Sequence, residues 1–133
     1  MFKISPIQDK EIQKKYADDC GVKFFPEAFA YSMINEDNGE LMGMSQFDIT
    51  GDCGYIFTLC PKINYSDFEA MFILGRATMN FIDLCGKHTC IAKIDAGEEK
   101  LLKSIGFKLH GEEYFADMNG MFDGHCDGHT VEL

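Results

Sequence analysis

A long amphipathic stretch held between two apolar runs limits the fold of this chain more than any other feature. "GYIFTLCP" (54–61) and "HTCIAKID" (88–95) have the aromatic and β-branched content of buried strands. Between them lies "SDFEAMFILGRATMNFIDLCG" (66–86), in which Phe68, Met71, Phe72, Met79, Ile82 and Cys85 share one helical side. Two strands joined by a helix lie parallel in one sheet, through a right-handed crossover. Residues 53–60 and 89–95 are therefore expected as neighbouring parallel strands. The helix is expected from about Ser66 to Cys85, with Ser66 and Glu69 as a capping box and Gly86 as its stop. Gly75 lies on the apolar side, where the helix would cross a strand closely.

The rest of the chain fits around this unit. Residues 2–4 read as a short strand. Ser5-Pro6-Ile7-Gln8 reads as a helix start, with a Ser cap and Pro in the first helical position. Ile12, Tyr16 and Cys20 form the stripe of that helix, and Gly21 ends it. "AFAYSMIN", "ELMGMSQFDI" and "CGYIFTLC", separated by the turns "EDNG" and "TGD", predict a three-strand antiparallel meander over 28–60, which Pro61 stops. "AGEEKLLKSIG" predicts a short helix, and Phe107 and "EEYFADM" belong to two last strands. The order β-α-β-β-β-α-β-α-β-β gives an α+β domain over residues 1–122. Its sheet is mixed, mostly antiparallel and twisted, with helices on both faces. Residues 123–133 are expected as a tail without periodicity, mobile or held by a neighbouring chain.

Charge narrows the partners. The 133 residues carry a formal charge of −10, and Arg76 is the single arginine. Nucleic acid needs a basic surface to displace its counterions, so it is not an expected partner. An acidic membrane surface is disfavoured on the same ground, and no apolar run reaches the length of a membrane span. The start "MFKISPIQDKE" has no leader pattern, and the six cysteines contain no Cys-x-x-Cys. A cytoplasmic protein with reduced thiols is the expectation.

In order and local sequence, the chain resembles the GNAT superfamily of acyl-CoA-dependent N-acyltransferases. "NGELMGMSQF" resembles the family's second hairpin, "YIFTLCP" its fourth strand, and "DAGEEKLLKSIGF" its late helix ending in Gly-Phe. The resemblance implies that the fourth and fifth strands splay apart. It also implies a pantetheine arm pairing with main chain at Thr58, Leu59 and Cys60, with Lys62 and Ser66 beside the diphosphate. The cofactor implied is acetyl-CoA and the acceptor a small-molecule amine, with a homodimer compatible with the fold.

Three departures weigh against transfer. The diphosphate loop of the family is glycine-rich, whereas "KINYSDFEA" contains no glycine and places Asp67 and Glu69 where an anion would sit. The tyrosine that protonates the leaving thiolate in many members is replaced by Leu102, which cannot donate a proton. "VKFFPE" is too short for the helix that usually walls the acceptor pocket.

Asp95, at the end of a strand, is the candidate base for an amine proton. Its competing role is to cap the short helix, with Glu98 three residues on. Asp52 reads first as a turn residue, Tyr55 and Tyr114 as amphipathic core residues, and Cys60 as a buried thiol. "DGHCDGH" (123–129) offers metal-ligand types, but its spacing matches no zinc pattern and no metal site is expected. Two functions follow: an N-acetyltransferase with an eroded cofactor loop, or a GNAT-fold domain that binds a ligand or protein and transfers nothing. In the second, the exposed side of the splayed strands is where a ligand is expected.

Overall fold

The computed structural model describes residues 1–122; the expectations for the tail, including its lack of a metal site, lie outside the described residues. Ten elements follow in order: β1 (Phe2–Pro6), α1 (Lys10–Cys20), β2 (Phe29–Asn35), β3 (Leu41–Thr50), β4 (Cys53–Pro61), α2 (Phe68–Leu84), β5 (Thr89–Lys93), α3 (Glu99–Ile105), β6 (Lys108–His110) and β7 (Glu113–Asp117). The seven strands form one sheet in the order β1-β2-β3-β4-β5-β7-β6. Every neighbouring pair is antiparallel except β4 and β5.

Alternation along β3 shows how the sequence distributes its two faces. A side chain at Gly43 would meet Met71 of α2, and Ser45 hydrogen-bonds Thr78 of α2 at 2.8 Å. Met44 packs with Ala17 and Cys20 of α1, and Gln46 bonds Gln13 of α1 at 2.9 Å. So α1 covers one face and α2 the other. The α2 side holds the larger core, with Leu59, Leu74, Met79, Ile82, Leu102 and Ile105 fully buried. Each such side chain contributes roughly 1.5–3 kcal/mol by its removal from water. At Gly75 an added Cβ would come within 2.8 Å of Ile105 and 2.9 Å of Leu59, which is the close crossing expected there.

The parallel pair splays as expected. β4 and β5 pair only at Gly54–Cys90, Tyr55–Ile91 and Ile56–Ala92. The next residue, Phe57, is unpaired against β3, because Gln46 faces Thr58 while Phe47 faces Ile56. This bulge turns β4 away from β5.

Several boundaries differ from expectation, each for a local reason. Phe2–Pro6 is an edge strand, so the missing N–H of Pro6 breaks no ladder there. Ile7 N–H still bonds Ala30 O at 2.8 Å, and α1 starts only after Asp9, whose carboxylate accepts from Glu11 N–H at 2.8 Å. Pro61 remains within β4, opposite Gly43, where β5 has already diverged. The cap of α2 is Asp67 rather than Ser66, accepting from Ala70 N–H at 3.0 Å. Asp95 does not cap α3: Glu98 is the cap residue, without a side-chain bond, because residues 94–97 form a turn beside β4.

Candidate functional site

The splay makes a cleft at the C-terminal end of β4, between the first turns of α2 and α3. Leu59, Cys60, Ser66, Asp67, Phe68 and Glu98 are among its lining residues, and its volume is about 250 Å³. The chain itself bridges the splay. Leu59 N–H donates to Ala96 O at 2.7 Å, so the turn after β5 folds back onto β4. Gly97 lies so close that a Cβ there would stand 2.5 Å from Leu59 O. Only glycine permits this approach.

The other sequence-derived residues separate around the cleft. Thr58 is buried and its hydroxyl accepts from Gln46 Nε2 at 3.0 Å; Gln13 Nε2 donates to Gln46 Oε1 at 2.9 Å. Gln46 also bonds the main chain at Lys23 and Phe25, so this polar group is satisfied and rigid. Lys62 lines a different hollow, with Asn35, Glu40 and Tyr65. Its N–H is held by Met42 O at 2.9 Å. Asp95 is exposed, with its carboxylate 3.7 Å from Lys93 Nζ, an ion pair of little energetic weight in water.

Electrostatics at the mouth point both ways. The N–H groups of Ser66, Asp67, Phe68 and Glu69 have no hydrogen-bond partner among the described residues, an arrangement that suits an anion. Carboxylates oppose it: Asp67 and Glu98 line the cleft, and Glu69 sits in the first turn of α2. Tyr65 donates its hydroxyl to Asp67 at 3.3 Å, and burial together with the Asp67 charge pushes its pKa up. Leu102 is fully buried.

Residues beyond the sequence reading complete the region. Phe25 stacks on Phe57, the bulge residue, with ring centroids 4.8 Å apart. Lys23 and Lys93 each hold an ammonium 5.3 Å from the Phe25 centroid. "VKFFPE" thus packs an aromatic side chain on the β4 bulge. A doubled aromatic beside a short connection was the available signal.

A larger groove lies elsewhere, with a volume of about 1030 Å³. Phe29, Tyr31, Phe47 and Phe81 line it, with ring centroids 5.3 to 6.3 Å apart, and Leu84 lines it too. Lys10 and Glu27 are the charged residues on its wall. Tyr31 is buried there, and that burial, with a smaller effect of Cys85, pushes its pKa up to about 12.

The described residues do not fit an acetyl-CoA lying along β4. The Leu59 donor is taken by Ala96, Gly97 stands against the Leu59 carbonyl, and the diphosphate end would face Asp67 and Glu98.

No family model matches the chain, and no curated protein matches it. Solved structures do. The ribosomal-protein-S18-alanine N-acetyltransferase of Escherichia coli superposes with a TM-score of 0.69 at 12% identity, over 100% of both chains. A protein assigned to the GNAT acetyltransferase family from Desulfovibrio desulfuricans gives 0.67 at 10% identity, over 89% of this chain and 99% of that one. The PaiA N-acetyltransferase of Thermoplasma acidophilum, in complex with coenzyme A, gives 0.63 at 12% identity, over 86% and 96%. With these superpositions and the splayed parallel pair that the resemblance implies, this chain has the fold of the GNAT N-acetyltransferases.

Proposed function

We propose that this chain is a GNAT-fold binding domain that takes an apolar small molecule and transfers no acyl group from acetyl-CoA. The observation that carries the reading is the bond from Leu59 N–H to Ala96 O, which fills the backbone track a pantetheine arm would use. Leu102 in place of a proton donor and the carboxylates at the cleft mouth support it. The ligand site in this reading is the aromatic groove rather than the splayed strands. Its volume is at the upper end of the usual range for small-molecule pockets, and its wall is mostly apolar. Phe29 is 52% exposed and Leu84 70% exposed, so apolar surface is there to be covered.

The open N–H groups of residues 66–69 favour a second reading, an N-acetyltransferase acting on a small amine. There, Thr58, Leu59 and Cys60 would offer β4 main chain to acetyl-CoA once residues 94–97 swing away. Lys62 and Ser66 would face the diphosphate, and Asp95 would take the amine proton.

Thiol release from acetyl-CoA separates the two. With a panel of polyamines, amino acids and peptide N-termini, the binding reading expects release at the uncatalysed rate. Turnover with any of them establishes the transferase. An apolar dye such as anilinonaphthalene sulfonate tests the groove. Its fluorescence should rise with wild type and fall back with Phe81→Asp in a protein that keeps its melting transition.

A further inference from the structure

We propose that Cys20 and Cys60 form a reversible dithiol–disulfide site that reacts with low-molecular-weight disulfides reaching Cys60 through the cleft. Neither residue belongs to the groove of the proposed function. Cys20 is the last residue of α1 and Cys60 lies near the end of β4. The two side chains pack in one cluster with Ala17, Leu41 and Met44. A backbone bond fixes their elements together: Ile63 N–H donates to Asp19 O at 2.9 Å. Gly21, at φ +68°, turns the chain against Ile63, so an added Cβ would stand 3.1 Å from the Ile63 side chain. The pair is thus held at both ends and not brought together by chance on a mobile loop.

The two sulfurs are not equivalent. Cys60 is partly exposed and lines the cleft, whereas Cys20 is buried. The neighbouring Cys20 thiol lowers the pKa of Cys60 against the opposing effect of burial. The neighbouring Cys60 thiol, together with burial, raises that of Cys20; the nearby Asp19 charge adds to this and Lys62 opposes it. Cys60 is therefore the attacking thiolate and Cys20 the resolving thiol. In the first step the Cys60 sulfur attacks one sulfur of the small disulfide. Its S–S bond breaks, and one small thiol leaves with the proton Cys60 gave up. Cys20 then attacks the Cys60 sulfur, and the second small thiol leaves with the Cys20 proton. Two protein thiols lose two electrons in total, and one small disulfide becomes two thiols.

Glutathione disulfide is the probe. With wild type equilibrated with an excess, a non-reducing peptide map should join the Cys20 and Cys60 peptides, the linked pair being about 2 Da lighter than the two reduced peptides together. Cys20→Ser should stop at the mixed disulfide and carry one glutathione on Cys60. Cys60→Ser should give neither product at Cys20. Should either variant fail to fold, the wild-type map decides alone, with exposed Cys85 as the internal reference. Glutathione on Cys85 with Cys20 and Cys60 still reduced overturns the proposal. So does a wild type that retains a stable mixed disulfide at Cys60, or a link joining either residue to a different cysteine.

Discussion

Leu59 N–H and Ala96 O stand 2.7 Å apart, and this bond ties β4 to the turn after β5, beyond the point where the two strands stop pairing. The bulge at Phe57 and the short pairing of β4 with β5 open a wedge. The turn 94–97 then re-enters it from the β5 side, bringing its own carbonyl to the β4 donor. Hydrogen exchange should register the bond: the Leu59 amide should be protected far above the amides of Phe68 and Glu69, which have no partner among the described residues. Equal, fast exchange at all three would mean that the turn leaves β4 readily.

Gly97→Ala tests the packing behind that bond. Its Cβ would stand 2.5 Å from the Leu59 carbonyl oxygen, a backbone atom that a rotamer change does not move. The turn must shift, at a cost of about 1–3 kcal/mol. A thermal melt should show the loss, and the Leu59 amide should exchange faster. An unchanged melt would show that the turn is loosely seated.

Asp67 has two separable roles, as cap and as charge. Asp67→Ala removes the acceptor for Ala70 N–H and should cost about 0.5–2 kcal/mol of stability. Asp67→Asn keeps an acceptor and should leave stability nearly unchanged while removing the negative charge. Inorganic pyrophosphate should then bind this variant more tightly than wild type at low ionic strength, with the gain shrinking as salt is added. No gain at low salt would mean that the carboxylate does not govern anions at this helix end.

Much of the fold was legible because it rests on periodicity. The helix-period stripe from Met71 to Ile82, and the turns that separate the three apolar runs over 28–60, specify elements before any contact is known. Gly75 was legible as a close crossing because it interrupts that stripe. Caps were less so. Ser66 and Asp67 are both good acceptors one residue apart, and only the backbone decides which reaches the Ala70 amide. Asp95 failed as a cap for a related reason, since the turn beside β4 delays the helix to Glu99. The site was least legible. A carbonyl from Ala96 and the missing side chain of Gly97 carry no compositional signal, and the Gln13–Gln46–Thr58 group joins residues 12 to 33 positions apart.

The buried pair Ser45 and Thr78 holds β3 to α2 through one hydroxyl–hydroxyl bond of 2.8 Å, and Thr78 also donates to Leu74 O. Thr78→Val strands the Ser45 hydroxyl in the core and should cost about 1–3 kcal/mol by denaturant unfolding. Adding Ser45→Ala should recover part of that loss. A double variant no more stable than Thr78→Val would contradict the pairing.

Tyr31 gives a pH signature in the aromatic groove. Its folded pKa is raised from 10 to about 12 by burial, so the folded state keeps the phenol proton that the unfolded chain loses. The stabilisation is complete below pH 10 and disappears as pH rises from about 10 to 12, roughly 2–3 kcal/mol in all. Compared with Tyr31→Phe, wild type should lose that much more unfolding free energy over the same interval. Parallel curves would mean that Tyr31 ionises without opposing the fold.

Calorimetric titration of the wild-type chain with acetyl-CoA decides whether the wedge between β4 and β5 is closed. With Leu59 held by Ala96 and carboxylates at the mouth, the dissociation constant should be weaker than about 100 µM, or roughly −5.5 kcal/mol. Saturable low-micromolar binding that also releases the Leu59 amide to exchange would contradict the account and make the transferase reading the leading one.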